Sequence, residues 1–228
     1  MQGRLSIVAT PIGNLEDITL RALRVFKEAD YILAEDTRVT MRLLSHYDLH
    51  TKVVRLDAHK ERESVERIMS DLEEGKHIAL VSDAGTPTVS DPGVRLVSQA
   101  REAGIRVDAI PGPSSLTAAL SISGLPAENL LFLGFVPHKK GRQTFLKGVV
   151  AHAGTAVFFE STHRIMKLLG ELSKLVGDER QIVLARELTK IHEEVIAGTP
   201  AELGERLQSK KAVRGEFVVI VEVAKATP

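Results

Sequence analysis

From its first residues the chain alternates short β-branched runs with amphipathic helical stretches, and this rhythm constrains the fold more than any other feature. Leu5-Ser6-Ile7-Val8-Ala9 reads as a strand, and a helix follows over Thr19 to Glu28. Tyr31–Ala34 and Val53–Leu56 are the next strands. The helix after them carries Val65, Ile68, Met69 and Leu72 on one face, with Gly75 placed to end it. His77–Val81 and Ile105–Ile110 complete five strands, separated by a helix that Asp91-Pro92-Gly93 starts, with Asp91 as N-cap and Pro92 at the first position, and Gly104 ends. Strands separated by helices predict a parallel, doubly wound sheet with right-handed crossovers.

The pattern changes after Ile110-Pro111-Gly112-Pro113. Strands are expected at Leu130–Phe135, Thr155–Phe159, Gln181–Ala185, Ile191–Ile196 and Glu216–Val223, with a helix presenting Ile165, Leu168, Leu169, Leu172 and Val176. Long helices do not separate all of these strands, so the second half is expected to hold a mixed sheet. The expected architecture is therefore α/β in two domains, residues 1–113 and 114–228.

Composition narrows the function. The 228 residues include 30 Lys plus Arg and 30 Asp plus Glu, a formal net charge of zero, so any nucleic-acid surface must be a local patch. With no cysteine there is no disulfide, zinc knuckle or thiolate nucleophile. No run approaches the roughly 18 apolar residues that span a bilayer. The N-terminus reads as a strand rather than a signal peptide, and the expected location is the cytoplasm, with no membrane contact.

Ligands of open parallel sheets bind beyond the C-terminal strand ends. Four loops belong at that edge: Thr10–Asn14, Glu35–Arg38, Ser82–Pro87 and Pro111–Ser115. They are rich in Gly, Pro, Asp, Ser and Thr, which expose backbone groups in tight turns. Neither a Gly-x-Gly-x-x-Gly fingerprint nor a phosphate loop is present. Glu35 stands where an acidic residue can hold a ribose diol, so the expected ligand is nucleoside-like without a pyrophosphate. His46 and His50 have metal-like spacing but lack the glutamate of a zinc-protease motif, and no metal is expected. Ser114-Ser115 have no identifiable His and Asp partners. The basic turn His138-Lys139-Lys140-Gly141-Arg142, and less so Lys210, Lys211 and Arg214, are candidates for phosphate contact. Aromatics at 4% argue against a base-stacking platform.

These segments together resemble the tetrapyrrole methylase superfamily, the class III S-adenosylmethionine-dependent methyltransferases. The resemblance rests on Ala9–Thr19, Ala34-Glu35-Asp36-Thr37-Arg38, Val81–Pro87, Ile110–Ser115, Phe135-Val136-Pro137, Phe159–Arg164 and Ala185-Arg186-Glu187-Leu188-Thr189-Lys190, in order over nearly the whole chain. It implies S-adenosyl-L-methionine as cofactor, held in the cleft between the two domains by Pro11, Ile12, Asp83, Ala84, Gly85, Thr86, Ser115 and Leu116, with Glu160, Ala185 and Glu216 from the second domain. Tetrapyrrole-modifying members usually open with a glycine-rich first loop. Thr10-Pro11-Ile12-Gly13 departs from it and favours the branch that acts on RNA, with 2′-O-methylation of a cytidine in 16S rRNA of the small ribosomal subunit as the implied reaction. Under that reading Glu187, Lys190 and Asp36 are the catalytic candidates, although ion pairing of Glu187 with Arg186 or Lys190 is the plainer alternative. Arg38, Lys139, Lys140 and Arg142 are the RNA-binding candidates. The resemblance also implies a homodimer. Two rival readings stay open: a sibling methyltransferase acting on a tetrapyrrole or a protein side chain, and a non-catalytic ribosome-binding protein.

Overall fold

The computed structural model describes residues 3–56, 61–177, 179–209 and 215–222. Lys210, Lys211, Arg214 and Val223 lie outside them. The chain divides into two compact units, Met1–Ser114 and Ser115–Pro228.

In the first unit the strands are β1 (Arg4–Val8), β2 (Tyr31–Ala34), β3 (Val53–Arg55), β4 (His77–Leu80) and β5 (Arg106–Ile110). They form one sheet in the order β3-β2-β4-β1-β5, parallel at every pairing. The connecting helices are α1 (Leu20–Glu28), α2 (Thr37–His46), α3 (Glu61–Glu73) and α4 (Val94–Glu102). Alternation along the strands builds a core on each face. Leu5, Leu33, Ile78 and Leu80 pack with Val65, Ile68 and Leu72 of α3 and with Leu96 and Ala100 of α4. Val8, Ile32, Ala34 and Ala79 pack with Ala22, Val25 and Phe26 of α1 and with Leu43 and Leu44 of α2. A sheet buried on both faces explains why its strands are almost continuously apolar.

Two expectations are corrected here. Helix α4 begins one residue beyond Gly93, which is itself the N-cap, so Asp91 is not the cap and Pro92 is not the first helical position. Gly93 has φ +115, and a Cβ there would stand 2.7 Å from Leu80 Cδ2, so the chain needs glycine at this turn. Helix α2 was not evident from apolar spacing, because Val39 and Met41 face solvent and its buried residues are Thr40, Leu43 and Leu44.

The second unit comprises α5 (Ser115–Ser123), β6 (Leu130–Phe135), α6 (Arg142–Ala151), β7 (Thr155–Ser161), α7 (Ile165–Val176), β8 (Ile182–Arg186), β9 (Glu194–Gly198), α8 (Pro200–Gln208) and β10 (Glu216–Val221). Its sheet runs β6-β7-β10-β8-β9 and is mixed: β6 and β7 are parallel and the other pairings antiparallel. Ile165, Leu168, Leu169, Leu172 and Val176 are all buried, as their spacing required. Helix α8 starts with a capping box in which Thr199 and Glu202 satisfy each other's backbone N–H groups. Strand β9 begins at Glu194 rather than Ile191, because residues Glu187 to Glu193 form the hairpin loop between paired Arg186 and Glu194.

Candidate active site

Because the first sheet is parallel throughout, the loops after β1, β2, β4 and β5 all leave from one edge. They are tied to one another, and the loop after β4 is the hub. Thr10 and Gly85 exchange backbone hydrogen bonds at 2.9 and 3.0 Å. The Thr10 hydroxyl donates to the Ser82 carbonyl at 3.2 Å. Asp83 Oδ1 accepts the Asp36 N–H at 3.0 Å, and the Thr86 hydroxyl donates to the Pro113 carbonyl at 3.3 Å. Three separate loops are thus anchored to Ser82–Pro87.

Glycine makes the close approaches possible. Gly85 has φ +82 and lies where a Cβ would stand 3.4 Å from Ile12 Cγ2. A Cβ on Gly112 would stand 3.1 Å from that of Ala9. Asp83, Ala84, Pro111 and Gly112 are exposed on this edge, and Pro11, Ile12 and Thr86 are partly so. The exposed groups on this edge are backbone amides and carbonyls, small apolar surfaces, the Glu35 and Asp83 carboxylates and the Arg38 guanidinium. That set suits a polar, nucleoside-like ligand.

Asp36 ends the β2 loop and caps α2, its carboxylate accepting the Arg38 N–H at 2.9 Å. Arg38 Nε also donates to both carboxylate oxygens, at 2.9 and 3.2 Å. These bonds hold the Asp36 carboxyl well below the usual carboxylate range. A carboxylate engaged in this way is a weaker proton acceptor than a free one. Arg38 keeps its guanidinium largely exposed while paired.

In the second unit, the C-terminal ends of β6, β7 and β8 meet the N-terminal ends of β9 and β10 at one edge. Glu160, Ala185 and Glu216 all belong to it. Glu160 and Ala185 have no exposed surface. Glu160 receives Arg142 Nη1 at 3.2 Å, Arg164 Nη2 at 2.8 Å and the Ser161 N–H at 2.8 Å. Both residues are therefore corrected: neither presents an atom to a ligand. Glu216 is exposed. Ser115 and Leu116 open α5 and are partly exposed.

Arg142 is also corrected. Its side chain is 4% exposed, and it pairs with Glu171 at 2.8 Å as well as with Glu160. It braces α6 against β7 and α7 and cannot reach a phosphate. Lys139 and Lys140, just before α6, are exposed as required of phosphate contacts. Glu187 and Lys190 form an ion pair at 2.9 Å, while Arg186 pairs with Glu194 at 3.1 Å. The loop that holds them is strained: Glu187 and Thr189 adopt φ +49 and +64. Gly215 has φ +94, which favours glycine, and a Cβ there would push the Glu187 carboxylate aside.

His46 ends α2, and His50 is paired with Asp48 at 3.3 Å. Among the described residues no group of three or more His, Cys, Asp or Glu is arranged to hold a metal. Sequence reasoning missed Thr10 and Ser82 as the groups that lock the loops, and Glu171 as the second partner of Arg142. Nothing in their local sequence distinguishes them, because their partners are 72 and 29 positions away.

The chain is thus a two-unit α/β protein, one unit a parallel sheet with a tied loop edge and the other a mixed sheet carrying a strained hairpin. A sequence profile for tetrapyrrole (corrin/porphyrin) methylases matches residues 4–204, and the chain belongs to that family of S-adenosylmethionine-dependent methyltransferases. It is 48% identical to "Ribosomal RNA small subunit methyltransferase I" of Escherichia coli O157:H7, over 99% of this chain and 79% of that one. The protein of the same name from Thermotoga maritima is 43% identical, over 96% of this chain and 98% of its own. Among solved structures, uroporphyrin-III C-methyltransferase from Thermus thermophilus, complexed with S-adenosylhomocysteine, matches with a TM-score of 0.66 at 22% identity, over 96% of this chain and 97% of that one. That likeness concerns the fold.

Proposed function

We propose that this chain transfers a methyl group from S-adenosylmethionine to the 2′-hydroxyl of a cytidine ribose in 16S rRNA of the small ribosomal subunit. The observation that carries the reading is the near-full-length identity of 48% and 43% to two small-subunit rRNA methyltransferases. In the first unit Pro11, Ile12, Asp83, Ala84 and Thr86 would hold the cofactor, with Gly85 shaping the turn that presents them; Ser115, Leu116 and Glu216 are the second unit's own candidates. When bound, the cofactor supplies an electrophilic methyl group on a positively charged sulfur.

The chain's own residues have two tasks. A neutral hydroxyl is a weak nucleophile, so it must be held in line and its proton must leave as the oxygen–carbon bond forms. Glu187 is the candidate to accept that proton, directly or through water, once its ion pair with Lys190 opens. Arg38, Lys139 and Lys140 hold phosphates. The protein acts in the cytoplasm as a homodimer with twofold symmetry, the commonest arrangement of soluble homo-oligomers. None of the helices among the described residues is long and apolar enough to cross a membrane.

Labelled S-adenosylmethionine, incubated with naked 16S rRNA and with small subunits and followed by nucleoside analysis, tests the reading. Label on 2′-O-methylcytidine is expected, and stronger on a preformed ribosomal surface. Label on a base, on a tetrapyrrole or on no RNA would reject it.

A further inference from the structure

The hairpin loop between β8 and β9 has a feature that methyl transfer alone does not require. Ile191 at its tip is 94% exposed, more than any other large apolar side chain among the described residues. An isolated exposed leucine or isoleucine is ordinary on a floppy loop. This loop is braced on every side. Leu188 is buried beneath it. Lys190 N–H donates to the Glu187 carbonyl at 3.0 Å, and Glu193 N–H to the Lys190 carbonyl at 3.0 Å. The Thr189 N–H donates to Glu193 Oε2 at 2.6 Å. Two non-glycine residues, Glu187 and Thr189, are held in left-handed backbone. The fold therefore sustains a strained turn that fixes an isoleucine in water.

The geometry points to Ile191 as a wedge that enters the base stack of the RNA and unstacks the nucleotide to be methylated, an inference that rests on the RNA reading proposed above. Three observations favour RNA as the occupant. Each carboxylate of the loop is already engaged inside the protein: Glu187 by Lys190, Glu193 by the Thr189 N–H, and Glu194 by Arg186. Glu187 and Glu194 are thus each matched by a cation, and Glu193 is the one of the three whose charge is unmatched, its carboxylate turned back onto the Thr189 N–H. The flanking residues are Lys190 and His192, with His192 exposed. One apolar side chain among polar neighbours is far too little for an interface between two copies of the chain, which needs hundreds of square ångströms per partner. It is, however, the size and chemistry of the aliphatic wedges that proteins insert between bases. The same loop carries Glu187 and Lys190, so a nucleotide displaced by Ile191 would be presented to the groups proposed to act on its ribose.

The test uses the full-length protein and small ribosomal subunits, comparing wild type with Ile191→Ala and Ile191→Leu. Labelled S-adenosylmethionine reports methylation, calorimetry reports cofactor affinity, and light scattering reports assembly size. Chemical probing of subunits saturated with protein and S-adenosylhomocysteine reports unstacked bases. Ile191→Ala should lower kcat/KM on subunits by about tenfold or more, with cofactor affinity unchanged. Ile191→Leu should retain most of the activity. Wild type, but not the alanine variant, should render bases next to the methylated ribose reactive. Wild-type kinetics in Ile191→Ala, or identical probing patterns, would overturn the wedge and leave the methyltransferase reading standing. A smaller assembly in Ile191→Ala would overturn it in favour of a second copy as occupant. Absence of label on RNA with wild type would overturn both.

Discussion

Arg142 looks, in the sequence, like the last cation of an exposed basic turn, and in the structure it is among the most deeply buried charges. The turn ends at Gly141, and Arg142 starts a helix whose first turn faces β7 and α7. Its pairing with Glu160 and Glu171 leaves no phosphate-binding capacity. Removing one partner of a buried pair strands the other charge, so Arg142→Ala should destabilise the protein by about 3–5 kcal/mol. Urea denaturation checks this, and a loss under 1 kcal/mol would show the cluster to be solvent-screened. Asp83 makes the opposite case. It is exposed and accepts the Asp36 N–H. Asp83→Ala should weaken S-adenosylmethionine binding by about 1–3 kcal/mol, the range for a lost polar contact. Unchanged affinity by calorimetry in a folded variant would reject its cofactor role. The sequence put Asp83 on a loop, where the structure has it, and Arg142 in a turn, where the structure has the start of α6; only the three-dimensional pairing separated the structural arginine from the accessible aspartate.

Apart from α2, the elements of the first unit were legible because their apolar residues obey a period, and two of its helices end at glycine: Gly75 and Gly104 have φ +95 and +72. Short helices without a wide apolar stripe were not. Helix α5 buries only Ala119, and α6 buries Arg142 beside Leu146 and Val149, so neither shows the spacing that betrays α7. The opposite edge of the first sheet from the loops carries its own signal, at the start of β4. Arg4 donates to His77 Nδ1 at 2.9 Å, and His77 Nε2 lies 2.9 Å from Ser6 Oγ. A guanidinium can only donate, so Nδ1 is the unprotonated nitrogen. Burial, and then the Arg4 charge, hold His77 below its ordinary value of 6.5, although Glu28 and Asp30 pull the other way. The unfolded chain thus takes the proton first as pH falls. The stabilisation is complete above the unfolded value, and is lost as pH drops through about 6.5 toward the lower folded value. Thermal melts between pH 7.5 and 5 should show a decline in wild type that His77→Gln reduces. Equal slopes would place the titration elsewhere.

At the scale of the whole molecule, 30 basic and 30 acidic residues leave no net field to attract RNA. Binding should depend on a few phosphate contacts, at Arg38, Lys139 and Lys140. The logarithm of affinity should therefore fall with the logarithm of salt at a slope of only about −2 to −3. A slope several times steeper would reveal a larger basic surface than these residues supply. The homodimer is checked by light scattering at micromolar concentration, where a mass equal to one chain would contradict it.

The backbone exchange between Thr10 and Gly85 also sets the terms on which this edge can change. Two segments joined amide to carbonyl in both directions fix each other's length back to their strands, so a residue inserted between β1 and Thr10, or between β4 and Gly85, would break the exchange. New ligand preferences in such a scaffold must arise from side-chain replacement, or from length changes beyond the bridge. A designer who transplants the β4 loop into another sheet must carry the β1 loop with it.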